Sequence, residues 1–422
     1  VEKRALGLPS KLAEVKYEIR GRVLLEAEKC AANGTDILPL HIGNPGPFGF
    51  EPPAEVLKAT KEAVTASLSY SDSRGLKTLV HKVQERLQNQ GSPEVPFDHI
   101  YIGNGVSELI MMACQCAFSR GDEVLVPAPD YPLWTAAIKL TGATPVYYLC
   151  DEAEDWQPSL SDLRSKVNDK TKAIVLINPN NPTGAVYSDT ALTELAKFVS
   201  ENNLLAFSDE IYSQILFDDA QFYPFAKVLN QVDPRAICLS FDGLSKNGFA
   251  AGYRCGWMTL TGDLSDSRGF LDGLNMLSAL RLCPNVLAMH SAIAFLNTSA
   301  SGRLEDATMQ RLIQQRAALC DGLRQIEHLS FVEPKGAFYV FPRIDLKKTA
   351  FATDEDFAIK LVQDFGILTV PGSAFNSFDE EHVRLVFLPR TDLLQTVCRN
   401  LNSLLSSTDT GHTKAEKRPS IA

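Results

Sequence analysis

Three short apolar runs in the middle of the chain, residues 173–177, 204–207 and 236–239, lack the alternation of a half-exposed strand. Apolar runs of this length, bounded by turn formers, predict strands buried on both faces. Helical spacing fills 190–202 between the first two. Upstream, the same reading gives strands at 99–102, 123–126 and 144–149, with helices at 106–118, 134–141 and 159–167. Buried strands alternating with helices predict an α/β body with a mainly parallel sheet covered on both sides. Before it come a helix at 12–32 stopped by Gly34, a strand at 37–42, and a chain reversal at Gly43-Asn44-Pro45-Gly46-Pro47. Helices at 53–66 and 76–89 follow. After a long helix at 272–297 the character changes. Helices at 304–326 and 354–364 mix with strands at 338–341, 367–370 and 383–387, an α+β pattern. The expected division is an arm and part of a small domain at 1–46, a large domain at 47–298, a small domain at 299–405, and a disordered tail at 406–422.

Composition narrows the function classes. A chain of 422 residues is too long for one ordinary core. The net charge of −10 argues against nucleic acid or an anionic membrane as the main partner. Nine cysteines, an odd count without a C-x-x-C pair, fit reduced thiols and a cytoplasmic location. No apolar run approaches the ~18 residues of a membrane helix, and the N-terminus has no signal-peptide layout. The seven histidines show no ligand spacing, so no metal site is expected.

The chemistry lies where polar residues follow the apolar runs. Asn181, Asp209 and Lys246 each stand just beyond one of the three central strands. In an open parallel sheet ligands bind outside the carboxyl ends of the strands, so three unlike groups there can meet one small molecule. Lysine resists desolvation; where burial and cations lower its pKa, it becomes a nucleophilic amine able to form a Schiff base. Arg254, close behind in Gly252-Tyr253-Arg254, offers a fork of donors to a phosphate. A carboxylate such as Asp209 can keep a pyridine nitrogen protonated. Tyr212 can donate to a phenolic oxygen. Gly103-Asn104-Gly105 opens a helix at Val106-Ser107-Glu108, and a helix N-terminus favours phosphate. Glu108 occupies the place of the third glycine of a dinucleotide fingerprint. Tyr131 can stack on a flat ring, and Arg384, alternating with apolar residues, needs an anion that a substrate carboxylate would supply. Each has a plainer reading too: a solvated lysine and arginine, a proline-rich turn at 178–184, an Asp–Tyr pair, a packed tyrosine, an internal salt bridge.

Together and in this order, HIGNPGPFGF, YIGNGVSELI, LVPAPDYPLW, INPNNPTGAVYS, DEIY, GLSK and LRLCPNV resemble the class I (fold-type I) aminotransferases, nearest the bacterial alanine (glutamate–pyruvate) group. The resemblance runs from residue 17 to Arg384. It implies the fold of pyridoxal-phosphate-dependent transferases of type I and the cofactor pyridoxal 5′-phosphate. Lys246 would be joined to the cofactor and serve as general base. Asp209 would pair with the ring nitrogen, and Tyr212 and Asn181 with its phenolic oxygen. Val106, Ser107, Ser245 and Arg254 would bind the phosphate, and Tyr131 would stack on the ring. Gly43, Asn181 and Arg384 would hold the substrate carboxylate, with Tyr17 and Arg20 closing over the side chain. Tyr70 would reach the phosphate of a neighbouring subunit, which implies a homodimer. The substrates implied are alanine or glutamate and the matching 2-oxo acids.

One departure stands out. After the lysine that group commonly has Thr-Tyr-Arg-Val, where this chain has Asn247-Gly248-Phe249-Ala250. The change allows a second reading on the same fold and cofactor: elimination, replacement or annulation on a specialised substrate such as S-adenosylmethionine. A cofactor-retaining regulator without activity ranks behind both, since no nucleic-acid-binding appendage is apparent.

Overall fold

The apolar runs form the centre of an eight-stranded sheet in a computed structural model that describes residues 21–298 and 304–406, with Gly7, Leu12 and Val15. The strands in chain order, after a short β1 (Leu38–Pro39) elsewhere, are β2 (Ile100–Gly103), β3 (Glu123–Ala128), β4 (Thr144–Asp151), β5 (Gln157–Pro158), β6 (Thr171–Ile177), β7 (Leu205–Asp209), β8 (Cys238–Gly243) and β9 (Gly256–Thr261). Their order across the sheet is β2-β9-β8-β7-β6-β3-β4-β5. Strands β4, β3, β6, β7 and β8 are parallel neighbours, while β5 and β9 run against them.

Side chains along β6 alternate between faces, as the pleat requires. Ala173, Val175 and Ile177 pack with Trp134, Leu109 and Leu274 from the helices on one side. Ile174 and Leu176 pack with Leu192, Phe198 and Leu229 from the helices on the other. The register sets the ends level: Ile177 pairs with Asp209, and Asp209 with Phe241. Between β3 and β6 the chain changes direction of travel across the sheet, opening the crevice at which such sheets bind ligands.

Several boundaries differ from expectation. The helix predicted at 272–297 is two, Arg268–Leu280 and Val286–Thr298. Leu282 at φ 73° and Pro284, which lacks an N–H, interrupt it. Strand β9 and the helices Phe225–Val232 and Thr391–Ser406 were not read from the pattern. The first helix is described from Arg22 to Ala32, and the expected tail after 406 lies outside the described residues. The strand predicted at 37–42 shrinks to β1, which pairs with β13 (Ile367–Leu368) after β10 (Leu329–Ser330), β11 (Tyr339–Val340) and β12 (Arg343–Ile344).

The C-terminal third centres on β15 (Val383–Val386), flanked by β11 and by β14 (Val370–Pro371). It is clamped to the large sheet by charge. Glu152, just beyond β4, meets Arg343 Nε at 2.7 Å and His382 Nε2 at 3.4 Å. Asp379 meets Arg343 and His382 Nδ1 at 2.9 and 2.7 Å. Burial alone would raise Asp379, but the bond from His382 and the nearby cations hold it down at about 2. The clamp carries the strand that presents Arg384.

Candidate active site

The level strand ends place the polar groups around one cavity of about 350 Å³. After β6 the turn 178–184 is rigid. Asn178 Oδ1 accepts from Tyr187 N at 2.9 Å, and Asn180 Oδ1 accepts from Thr183 Oγ1 at 2.8 Å. This aims buried Asn181 at Arg384, whose Nη1 donates to Asn181 Oδ1 at 2.7 Å. A second guanidinium nitrogen, Nη2, donates to His41 O. The guanidinium also lies over the rings of Tyr339 and Phe375, at 4.5 and 4.6 Å from their centroids. Arginine stacked this way keeps a fixed fork for a planar carboxylate.

Asp209 ends β7, is 4% exposed, and accepts from Trp134 Nε1 at 3.1 Å. Burial pushes its pKa up to about 6, against the pull of the Trp134 bond. A cation beside it would restore its charge. Tyr212 is buried three residues on, its hydroxyl 2.5 Å from that of Tyr339.

Lys246 lines the cavity just beyond β8 and donates from Nζ to Gly43 O at 2.5 Å. Desolvation among the aromatic walls, then the charges of Arg384 and Arg254, lower its pKa to about 7. Near neutral pH, therefore, a substantial fraction of this amine is neutral, against fewer than about one in a thousand for an ordinary lysine. In cofactor-free protein, the rate at which added pyridoxal phosphate attaches to Lys246 is expected to rise with pH up to about 7 and level off above it. Stopped-flow absorbance reads this directly; a rise continuing toward pH ~10 would contradict the depressed pKa.

Across the cavity, Gly105 at φ 83° turns the chain into the helix Val106–Ala117. A Cβ at 105 would lie 2.3 Å from Arg254 Nη2, so glycine lets the guanidinium approach the helix start. Arg254 reaches Ser245 Oγ at 3.4 Å and Ala251 O at 3.1 Å. Glu108 supports the loop: it accepts from Asn104 N at 2.7 Å and pairs with Arg281 Nη1 at 2.5 Å. A helix N-terminus, a hydroxyl and a guanidinium around one point form an anion cradle.

Of the residues singled out from sequence, Gly43, Val106, Ser107, Tyr131, Asn181, Asp209, Tyr212, Ser245, Lys246, Arg254 and Arg384 line this cavity. Tyr70 does not; it is 78% exposed, in a separate concavity with Leu68, Cys283 and Pro284. Tyr17 and Arg20 lie outside the described residues. Sequence reading missed Tyr339, Trp134 and Arg281. A tyrosine within the apolar run 337–341 was the available signal for the first, because a buried hydroxyl needs a partner.

A family profile described as aminotransferase class I and II matches residues 35–401. The alanine aminotransferase of Mycobacterium tuberculosis is 43% identical over 96% of this chain and 94% of its own. The glutamate–pyruvate aminotransferase of Escherichia coli is 43% identical over 91% of this chain and 94% of its own. The chain belongs to the class I and II aminotransferases. An aminotransferase structure from Escherichia coli superposes with a TM-score of 0.91 at 40% identity, covering 96% of this chain and all of that one. The alanine aminotransferase of Pyrococcus furiosus gives 0.89 at 31% identity, with 95% and 100% covered.

In this aminotransferase the altered stretch after Lys246 faces away from the cavity. Asn247 is buried, donating to Ser213 Oγ at 3.0 Å and to Asp242 Oδ1 at 2.9 Å. Asp242 in turn pairs with Arg86 at 3.1 Å. Phe249 stacks on Phe50, with centroids 5.4 Å apart, and Arg311 covers the other ring at 3.8 Å. None of residues 247–250 lines the cavity. Asn247 and Phe249 thus support the loop that carries the lysine, outside the cavity lining.

Proposed function

We propose that this aminotransferase holds pyridoxal 5′-phosphate in the described cavity and moves the amino group between alanine or glutamate and the matching 2-oxo acids. The observation that carries this is the convergence of Lys246, Asp209, Arg254 and Arg384 on one space. The donor set fits the cofactor: an anion cradle at Val106, Ser107, Ser245 and Arg254, a buried carboxylate opposite, and an amine with a lowered pKa between them. Bound there, the cofactor supplies an electron sink that acidifies the substrate Cα–H. Asp209 would keep the ring nitrogen charged, Tyr212 and Asn181 would hold the phenolic oxygen, and Tyr131 would stack on the ring. Arg384 and Asn181, with the backbone at Gly43, receive the α-carboxylate. Lys246 Nζ, lining the same cavity with a lowered pKa, would serve as the base that holds and moves the substrate Cα proton.

The relatives named for alanine and for glutamate–pyruvate transfer support this choice of substrates. Because residues 247–250 lie behind the lysine, they give no support to elimination or annulation chemistry. Leu68, Tyr70, Leu280 and Leu282 expose an apolar surface that supports a homodimer, with Tyr70 directed to the partner's phosphate site. We assign residues 47–298 to the large domain and 299–405, with part of 1–46, to the small one, as the pairing of β1 with β13 supports. Nine free cysteines support a reducing, cytoplasmic setting.

The test is a single turnover. Cofactor-loaded protein mixed with L-alanine or L-glutamate, without an acceptor, should release about one equivalent of pyruvate or 2-oxoglutarate per site. Release of ammonia or of a side-chain fragment in place of the oxo acid would overturn the assignment.

A further inference from the structure

Tyr339 has entered so far only as a ring beneath Arg384 and a neighbour of Tyr212, yet it joins two groups of the site. It lies on β11 opposite Val386 of β15. Residues two apart on a strand share a face, so Arg384 is its diagonal neighbour. Its ring lies 4.5 Å from the Arg384 guanidinium, and its hydroxyl lies 2.5 Å from that of Tyr212. The opposite wall is Gly43, where a Cβ would stand 2.2 Å from the Tyr339 hydroxyl oxygen. Phe338 packs edge-on to Tyr212 with centroids 5.3 Å apart. The phenol is thus held in position on each side.

We propose that Tyr339 is a positioning residue: its hydroxyl donates to Tyr212 and turns the Tyr212 proton toward the cofactor's phenolic oxygen, while its ring holds Arg384 flat for the substrate carboxylate. The inference rests on the cofactor reading given above. The chemistry follows from proton counting. Each phenol has one proton to give and lone pairs to receive. When two hydroxyls meet, one must be the donor and the other is left to donate elsewhere. Burial keeps both phenols protonated, pushing each above its ordinary range. With Tyr339 as donor, Tyr212 becomes the more polarised of the pair, as in any hydrogen-bond chain. One side chain would then tie cofactor electronics to substrate orientation.

The experiment uses full-length, cofactor-loaded protein in three forms: wild type, Tyr339→Phe and Tyr339→Leu. The pH midpoint of the bound cofactor's visible absorbance is measured, along with the Kd for propionate read from the same signal. Tyr339→Phe should move the midpoint up by about one pH unit, because the phenolic oxygen loses a polarised donor. Its propionate Kd should stay within about twofold, since the ring remains. Tyr339→Leu should show the upward shift and bind propionate about tenfold more weakly. A midpoint in Tyr339→Phe that is unchanged or moves down would overturn the proposal; a downward move would make Tyr212 the donor. If wild-type protein takes up no pyridoxal phosphate, the cofactor reading and this inference fall together. If it loads normally and the Phe variant superimposes on it, the inference alone falls.

Discussion

Lys246→Ala is expected to lower kcat by at least about 10⁴-fold with the fold intact. A positioned general base alone contributes about 10²–10⁴, and this lysine also supplies the covalent attachment that splits a difficult step in two. The side chain projects into the cavity, and its bond to Gly43 O is made at the cavity wall. Truncation therefore leaves the apolar packing of β8 in place and removes a buried, desolvated amine, so the cofactor-free variant should unfold at a temperature no lower than wild type. The decisive measurement is borohydride reduction of loaded protein followed by peptide mapping. Label should appear at Lys246 in wild type and be absent from the variant. Label at another lysine in wild type would remove the foundation of the functional assignment.

The second large effect belongs to Asp209→Asn. The substitution keeps size and an oxygen for Trp134 Nε1, which now lies at 3.1 Å, so the helix Leu133–Thr141 should stay seated. What is lost is charge. An ion pair formed in a buried site is worth about 3–5 kcal/mol when one partner is removed, or about 10²–10⁴ in rate. The loss should fall on kcat, with a weaker effect on carboxylate affinity, because Arg384 is untouched. In the cofactor-free protein the change should be mild or stabilising: Asp209, raised to about 6, is a destabilising buried charge above that pH. A carboxyl whose folded pKa is raised contributes its penalty above its unfolded value, and the penalty grows as pH rises to about 6. Cofactor-free Asp209→Asn should therefore lose less stability than wild type between about pH 4 and about pH 6. Equal kcat in the two proteins would contradict the role given to this carboxylate.

Much of the site was legible because its chemistry is local. Asn181, Asp209 and Lys246 each follow an apolar run within a few residues, and a parallel sheet puts all such positions at one edge. The phosphate loop was legible for the same reason, since Gly105 and the following helix form a continuous stretch. The helix at 272–297 divides in two although its apolar spacing continues through Leu282, because Leu282 takes φ 73° and Pro284 lacks an N–H; Arg281, at the end of the first helix, donates to Ser73 O and Ile102 O. Strand β9 was hidden inside a stretch read for its arginine. Residues 247–250 gave the sequence its second reading; in the fold Asn247 bonds Asp242 and Phe249 stacks on Phe50, outside the cavity lining.

From the residues alone came the buried strands, the order of strand and helix, and the types of group that each strand end carries, because hydrophobic burial and turn chemistry act over a few neighbouring residues. Tertiary structure alone decided which groups meet. Arg384 reaches Asn181 across 203 positions, Tyr339 reaches Tyr212 across 127, and Lys246 reaches Gly43 across 203. Such contacts depend on strand register and on the packing of the C-terminal third against the sheet. Short-range patterning does not encode those separations, yet the burial and the cations they bring to Lys246 lower its pKa, and the bond to Asn181 aims Arg384.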